Sequence, residues 1–304
     1  NRINPPNGWV QNTNNWPYSA AGANSPREDD YPPYMDIGSE NPRGVHAMRL
    51  LEAAADVSLE DLLAMAFDPQ LPAFDQLLPP LFAAFSELAQ DAALRDRLRE
   101  PVLRLRAWDR RWNTDSVATS VAVFWGTELL RRSRAAAREA RVPVIDYMAG
   151  HVPGPVLLET LADAVARLEA DFGDWRTPWG EINRFQRLTG DIFPPYDDRR
   201  RSTPVGFVSG RWGSLASFGA SPREGTKRWY GTSGNSFVAV VEFGNRVRAR
   251  AVTAGGLSND PRSPHFDDQI ERYASGDLRP VYFHLDELAG HVEESYQPGA
   301  REPQ

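Results

Sequence analysis

The chain has 304 residues, 41% hydrophobic and 25% charged, enough to bury a real core in one large or two ordinary globular units. Its net charge of −7 excludes the basic footprint that a nucleic-acid partner requires. With no Cys, disulfides, thiolate metal sites and a Cys nucleophile in this chain are excluded, and no apolar run is long enough to cross a membrane as a helix. The chain begins with Asn1 rather than Met, as expected for a processed chain or a fragment, and no signal peptide is visible.

In chain order, residues 1 to 43 read as extended and irregular. Pro26, Pro32 and Pro33 each push the preceding residue out of the helical region. From Pro42 the texture becomes helical. "PRGVHAMRLLEAA" places Val45, Met48, Leu51 and Ala55 near one helical face, and Ser58 with Asp61 reads as a capping box opening "LEDLLAMAF". Helical patterns continue at 74–90, 93–108, 116–140 and 155–173, with Pro80 and Pro101 expected to divide or kink them. The basic run "RRSRAAAREAR" reads as a solvated helix face.

Past residue 173 Gly, Ser and Pro become frequent. "WRTPWGEINRFQRL" reads as a turn and a short helix. "NSFVAVVEFG" and "NRVRARAVTAGG" read as a β-hairpin turning at Gly244-Asn245. "SFVAVVEF" is apolar on both faces, so it is expected inside a sheet covered on two sides, with neighbours that this chain hardly supplies. A short helix ending at Gly276, a strand "RPVYFHL" and a last helix "DELAGHVEESY" complete the pattern. The division is 1–43, an extended segment; 44–172, a helical region; and 173–304, a β-rich part.

Common catalytic signatures are missing: no nucleophile elbow, no zinc helix, no phosphate-binding glycine loop. The acidic pairs Asp29-Asp30 and Asp267-Asp268 read first as solvated, with calcium ligation by Asp29 or Asp30 the lesser reading. What remains is "NPPNGWVQNTNNWP", residues 4–17. Its five asparagines lie among Trp9, Val10 and Trp16, and carboxamides held among aromatics need partners. An amide with one N–H left over is what an oxyanion hole uses.

This segment resembles the N-P-x-x-G-[YW]-[IV]-x-N-x-N-x-x-P stretch of the penicillin acylase family, which includes the acyl-homoserine-lactone and aculeacin-type acylases. The likeness continues in family order through "NPRGVHAMRLLE", "TPWGEINRFQR", "YGTSGNSFVAVVEF" and "GGLSNDPRSPHFDDQIERYASGDLRPVYF". It implies an α+β fold, part of the αββα sandwich of N-terminal nucleophile hydrolases, carrying a large helical insertion. It also implies that Asn14 donates to the oxyanion, that Asn12 and Asn15 hold the loop, and that Arg43 orients the asparagine and the nucleophile's amine. Arg49, His265 and Asp268 read as structural.

The family's nucleophile is an N-terminal Ser, Thr or Cys whose own amine is the base. Asn1 cannot serve, so the nucleophile is expected on an upstream β segment, with an α subunit as further partner. The implied activity is removal of an acyl chain from a small N-acyl compound, an N-acyl-homoserine lactone or a lipopeptide. A β-lactam acylase is the first alternative and a non-catalytic scaffold or binding subunit the second. The resemblance implies no required cofactor, with structural calcium an option, and a periplasmic or secreted location.

Overall fold

A computed structural model describes residues 3–36, 38–88, 92–292 and 294–299. The readings at Asn1, at the end of the 74–90 pattern and at Glu293 lie outside the described residues. The described residues up to 41 are irregular, broken by three 3₁₀ turns, Pro17–Ser19, Gly22–Asn24 and Glu28–Asp30.

Seven helices follow. Helix α1, Pro42–Glu52, starts where Asn41 Oδ1 accepts from Gly44 N at 2.9 Å and proline takes the first turn, where its missing N–H costs nothing. It buries Gly44, His46 and Ala47, while Val45 and Met48 stay half-buried and Ala55 lies past its end, so the expected apolar face is displaced. The imidazole of His46 explains the shift: it is bonded to Gly213 O at 2.7 Å and Asp68 Oδ1 at 3.0 Å, which makes a polar residue the buried one. Helix α2, Leu59–Ala66, has the expected capping box, Ser58 with Asp61. Arg49 pairs with Asp75 at 2.8 Å, a structural contact.

Helices α3, Ala73–Glu87, and α4, Ala92–Arg106, contain Pro79, Pro80 and Pro101 in their interiors, and none of these prolines divides its helix. Tertiary burial outweighs the lost hydrogen bonds. Each proline costs ~3 kcal/mol, while Leu77, Leu78, Leu81, Leu98, Val102 and Leu105 are all sealed in the core at roughly 1.5–3 kcal/mol apiece. Helix α5, Val117–Ala140, is capped by Ser116 and stops at Arg141 in the left-handed region, φ 55°. Helix α6, Val144–Gly150, is short and was not evident from periodicity; α7, Gly154–Phe172, ends at Gly173.

The remaining elements form two small sheets. Helix α8, Trp179–Ile182, runs into β1, Asn183–Phe185; β2 is Thr203–Pro204, β3 Phe218–Pro222 and β4 Trp229–Gly234. Their order is β2-β1-β4-β3, with β1 parallel to β4 and a bulge at Gly219/Ala220. The hairpin β5, Phe237–Glu242, with β6, Arg248–Thr253, forms as expected, but the turn spans residues 243–247, so Gly244-Asn245 is only part of it. Helix α9, Ile270–Ser275, stops at Gly276 as read. The last strand shrinks to β7, Arg279–Pro280, and the last helix to α10, Leu285–Leu288.

Among the described residues β5 is the outermost strand of its sheet, in line with the expectation that this chain supplies few of its neighbours. Val238 and Val240 face a small core with Leu59, Phe207, Phe218 and Tyr273. On the other face Phe237, Val241 and Phe243 are 60%, 40% and 84% exposed. The larger core joins the helices to the first sheet through Trp179, Trp212 and Trp229.

Candidate active site

The asparagine row folds back on itself and onto the start of α1. Asn12 Oδ1 accepts from Asn14 N at 2.8 Å, an Asx turn that holds Asn14 at φ 58°, a left-handed conformation that asparagine tolerates. Asn15 Oδ1 accepts from Thr13 N at 3.2 Å and Thr13 Oγ1 at 3.1 Å. Its Nδ2 donates to Ser19 Oγ and to Glu40 Oε1, both at 2.9 Å. Thr13 O accepts from Asn41 Nδ2 at 3.0 Å and Arg43 Nη2 at 2.7 Å, which ties the loop to the first turn of α1.

Arg43 also donates to Asn14 Oδ1 at 2.8 Å. A guanidinium only donates, so this bond fixes which end of the Asn14 amide is oxygen. The other end, Nδ2, has no hydrogen-bond partner among the described residues. Burial lowers the Arg43 pKa from its ordinary value, though not enough to discharge it. Its aliphatic chain packs against Gly210, where a Cβ would lie 2.6 Å from Arg43 Cδ.

Asn14 and Arg43 open onto a cavity of about 840 Å³ between α1, α3, α6 and the turn Gly210–Trp212. One wall is apolar: Pro72, Ala73, Pro143, Val144 and Ile145. The other is polar and comes from Ser209–Arg211, Ser217 and Asn235. That wall is internally braced, with Gly210 N donating to Ser217 Oγ at 2.9 Å and Ser217 N to Asn235 Oδ1 at 2.7 Å. Sequence reading missed these polar residues. Ser209–Arg211 sit in "VSGRWGS" and Ser217 just after it, where neither periodicity nor motif marks them, while Asn235 lies in the family-like "YGTSGNSFVAVVEF" without being singled out there.

The expected residues Asn12, Asn14, Asn15 and Arg43 therefore come together. Asp29 and Asp30 do not join them; both are exposed on the 3₁₀ turn, with Asp29 3.9 Å from Arg27. Among the described residues no three His, Cys, Asp or Glu side chains are grouped to hold a metal, so these two acids do not by themselves make a calcium cage. His265 Nδ1 and Asp268 Oδ2 pair at 2.9 Å ahead of α9, outside the cavity.

Gly44 shows how tightly the loop is set. A Cβ there would lie 1.9 Å from Glu40 Oε1 and 2.7 Å from Asn15 Nδ2. Gly→Ala inside a helix ordinarily stabilises by ~1 kcal/mol. Here the sign should reverse, because relieving the overlap means breaking the Asn15–Glu40 bond. Gly44→Ala is expected to destabilise by roughly 1–3 kcal/mol, as overpacking does. Thermal unfolding of the assembled protein checks it; an unchanged or raised Tm would show that the loop gives way freely.

The overall fold is mixed α+β. It matches a thermostable penicillin G acylase from Alcaligenes faecalis, in an orthorhombic crystal form, with a TM-score of 0.50 at 16% identity, over 99% of this chain and 58% of that one. The sequence profile of the penicillin amidase family matches residues 1–290, and the chain belongs to that family. The acyl-homoserine lactone acylase PvdQ of Pseudomonas syringae pv. tomato is 28% identical over 242 residues, 74% of this chain and 28% of that protein. PvdQ of Pseudomonas syringae pv. syringae is 25% identical over 245 residues, 77% and 29% of the two. The chain thus spans under a third of the length of the curated relatives it matches.

Proposed function

We propose that these residues supply the oxyanion-binding half of an amidohydrolase active site, whose nucleophile comes from polypeptide outside them. The observation that carries this reading is the state of Asn14. Its backbone N–H is held by Asn12, its Oδ1 by Arg43, and only its Nδ2 is left to donate. A donor fixed on every other side costs no reorganisation when charge develops on a carbonyl oxygen.

In this reading the hydroxyl or thiol of an N-terminal Ser, Thr or Cys attacks the carbonyl carbon of an N-acyl substrate. Its proton passes to the nucleophile's α-amine and then to the departing nitrogen. Asn14 Nδ2 donates to the oxyanion. The C–N bond breaks, the amine leaves, and water hydrolyses the acyl ester to release the acid and restore the nucleophile. Arg43 acts by holding Asn14 and the loop. The family membership and the PvdQ relatives favour an N-acyl-homoserine lactone or a comparable acylated amine over a β-lactam. An α subunit, an upstream β segment and a periplasmic or secreted location belong to the same proposal, as does an optional structural calcium to which Asp29 or Asp30 would contribute one ligand.

The test is the assembled enzyme with N-acyl-homoserine lactone, the products identified by mass spectrometry. Free fatty acid and homoserine lactone in equal amounts are expected, with an acyl adduct on the N-terminal residue after rapid quenching. Opening of the lactone with the amide intact would overturn the reading.

A further inference from the structure

His46 is a titratable side chain only 1% exposed, and the oxyanion chemistry does not use it. It lies on α1 one turn past Arg43, on the same side of the helix. Its Nδ1 stands 2.7 Å from Gly213 O. A carbonyl only accepts, so Nδ1 carries a proton and donates. The other ring nitrogen, Nε2, meets Asp68 Oδ1 at 3.0 Å. Asp68 is in turn held by Gln70 N at 2.9 Å and Arg111 Nη2 at 3.3 Å. The ring is thus fixed from behind and presents one N–H forward.

What that N–H grips is the far end of the turn Gly210–Trp212, part of the polar wall of the cavity. The turn holds together as a unit: Trp212 N donates to Ser209 O and Gly213 N to Gly210 O, both at 3.0 Å. Its near end, Gly210, is pressed on the stem of Arg43, where a Cβ would lie 2.6 Å from Cδ and 2.8 Å from Nε. At Gly213 φ is 104° and a Cβ would lie 2.4 Å from Pro72 Cδ, so a glycine backbone brings this carbonyl against α1. Helix α1 therefore holds the turn at two points, Arg43 at Gly210 and His46 at Gly213. The same Arg43 donates to Asn14 Oδ1 and so sets where Asn14 Nδ2 points. A shift of the turn at Gly213 is passed through Gly210 to Arg43 and on to that amide.

We propose that His46 is a positioning residue for the oxyanion donor: its bond to Gly213 O clamps the polar wall to α1 so that Arg43 aims Asn14 Nδ2 at the developing charge. This inference rests on the amidohydrolase reading. A productive site tolerates about 0.5 Å of error, so one lost clamp is felt in turnover although His46 touches no substrate. The bond to Gly213 O carries this role, rather than the Asp68 pairing or the space that the ring fills. His46→Asn and His46→Gln separate the two. Asn offers an amide N–H at the place of Nδ1, toward Gly213 O. Gln reaches the place of Nε2, toward Asp68, and leaves the carbonyl without its donor. Stability alone favours Gln, the better helix former and the closer to histidine in size.

The experiment follows hydrolysis of N-decanoyl-homoserine lactone by the assembled enzyme, with kcat counted per processed, folded molecule, alongside Tm and crystal structures of the variants. His46→Gln should lower kcat about 10- to 100-fold with KM little changed, as a misplaced group does. His46→Asn should bring kcat back to within a few-fold of wild type although its Tm is the lower. On an Asn14→Ala background His46→Gln should cost almost nothing more, because its effect runs through Asn14. Should Gln block chain processing, His46→Ala is the donor-free variant with the same expectations. Equal kcat for the Gln and Asn variants, or a Gln penalty that persists in full on Asn14→Ala, would overturn the proposal. The crystal structures read the clamp without activity: Asn14 Nδ2 should be displaced in His46→Gln and in place in His46→Asn. That displacement without amide cleavage by the wild type removes the functional reading alone. Amide cleavage by the wild type with kcat unmoved in His46→Gln removes this inference alone.

Discussion

Asn14→Ala in the assembled enzyme is expected to lower kcat by about 10²–10³-fold while KM changes little. The amide of Asn14 meets full negative charge only near the tetrahedral intermediate, so its loss falls on the transition state rather than on substrate binding. Asn14→Asp should be no better, since a carboxylate would face the developing oxyanion. Folding should survive both, because Asn14 is exposed and contributes only its Arg43 contact and its Asx turn. Asn7 is a poor control: its Nδ2 donates to Ala21 O at 3.0 Å, so Asn7→Ala loosens the loop. Asn4→Gly is the better one, exposed and at φ 47°, and should keep near-wild-type rates. Chain processing is checked by gel first. A processed Asn14→Ala enzyme with near-normal kcat would reduce Asn14 to a loop residue and remove the assignment.

The isolated 304-residue chain is expected to show no amide turnover and to bind hydrophobic dyes or aggregate. In the proposed mechanism turnover needs a nucleophile with its own amine, supplied by polypeptide outside these residues. Aggregation follows from β5, where Phe237, Val241 and Phe243 form an exposed apolar face on a strand whose outer edge is unpaired. Such an edge recruits other chains unless something covers it. Acyl-homoserine lactones and phenylacetyl amides are the substrates to assay, and sedimentation with a dye titration reads the surface. Turnover above background would mean a different nucleophile, and a monodisperse, cooperative monomer would mean that this face needs no partner.

Local chemistry was legible in the sequence; long-range packing was not. The Ser58–Asp61 cap, the β5–β6 hairpin and the stop at Gly276 each depend on residues a few positions apart, and each formed as read. Pro80 and Pro101 do not divide their helices because their cost is local, whereas the burial that outweighs it comes from helices distant in sequence. Strands β3 and β4 carry Gly219, Ala220, Ser221, Thr232 and Ser233, which lack the alternation of apolar residues that marks a strand. The pairing of β3 with β4, and of β4 with β1, is therefore not legible in the sequence. In the site, the asparagines were found through the resemblance, which fixes spacing. His46 was not, because nothing in "NPRGVHAMRLLE" indicates that its ring will meet Gly213 O.

The tryptophans shared by helices and sheet bear on how substrate enters. Phe124 of α5 stacks on Trp229 of β4 with ring centroids 4.7 Å apart, Phe74 of α3 lies 5.3 Å from Trp212, and the Trp212 ring abuts Gly126 of α5, 2.9 Å from where a Cβ would sit. Rocking the helices as one body against the sheet would tear these rings apart and expose them to water, which close packing resists. A hinge between the two is therefore closed as a route of entry. Traffic into the cavity is left to its rim, the asparagine loop clipped to α1 through Thr13 O and Asn14 Oδ1, with the Arg43 guanidinium and the Asn41 carboxamide as its latch. Breathing of that latch, rather than domain closure, is the motion to which turnover would be geared.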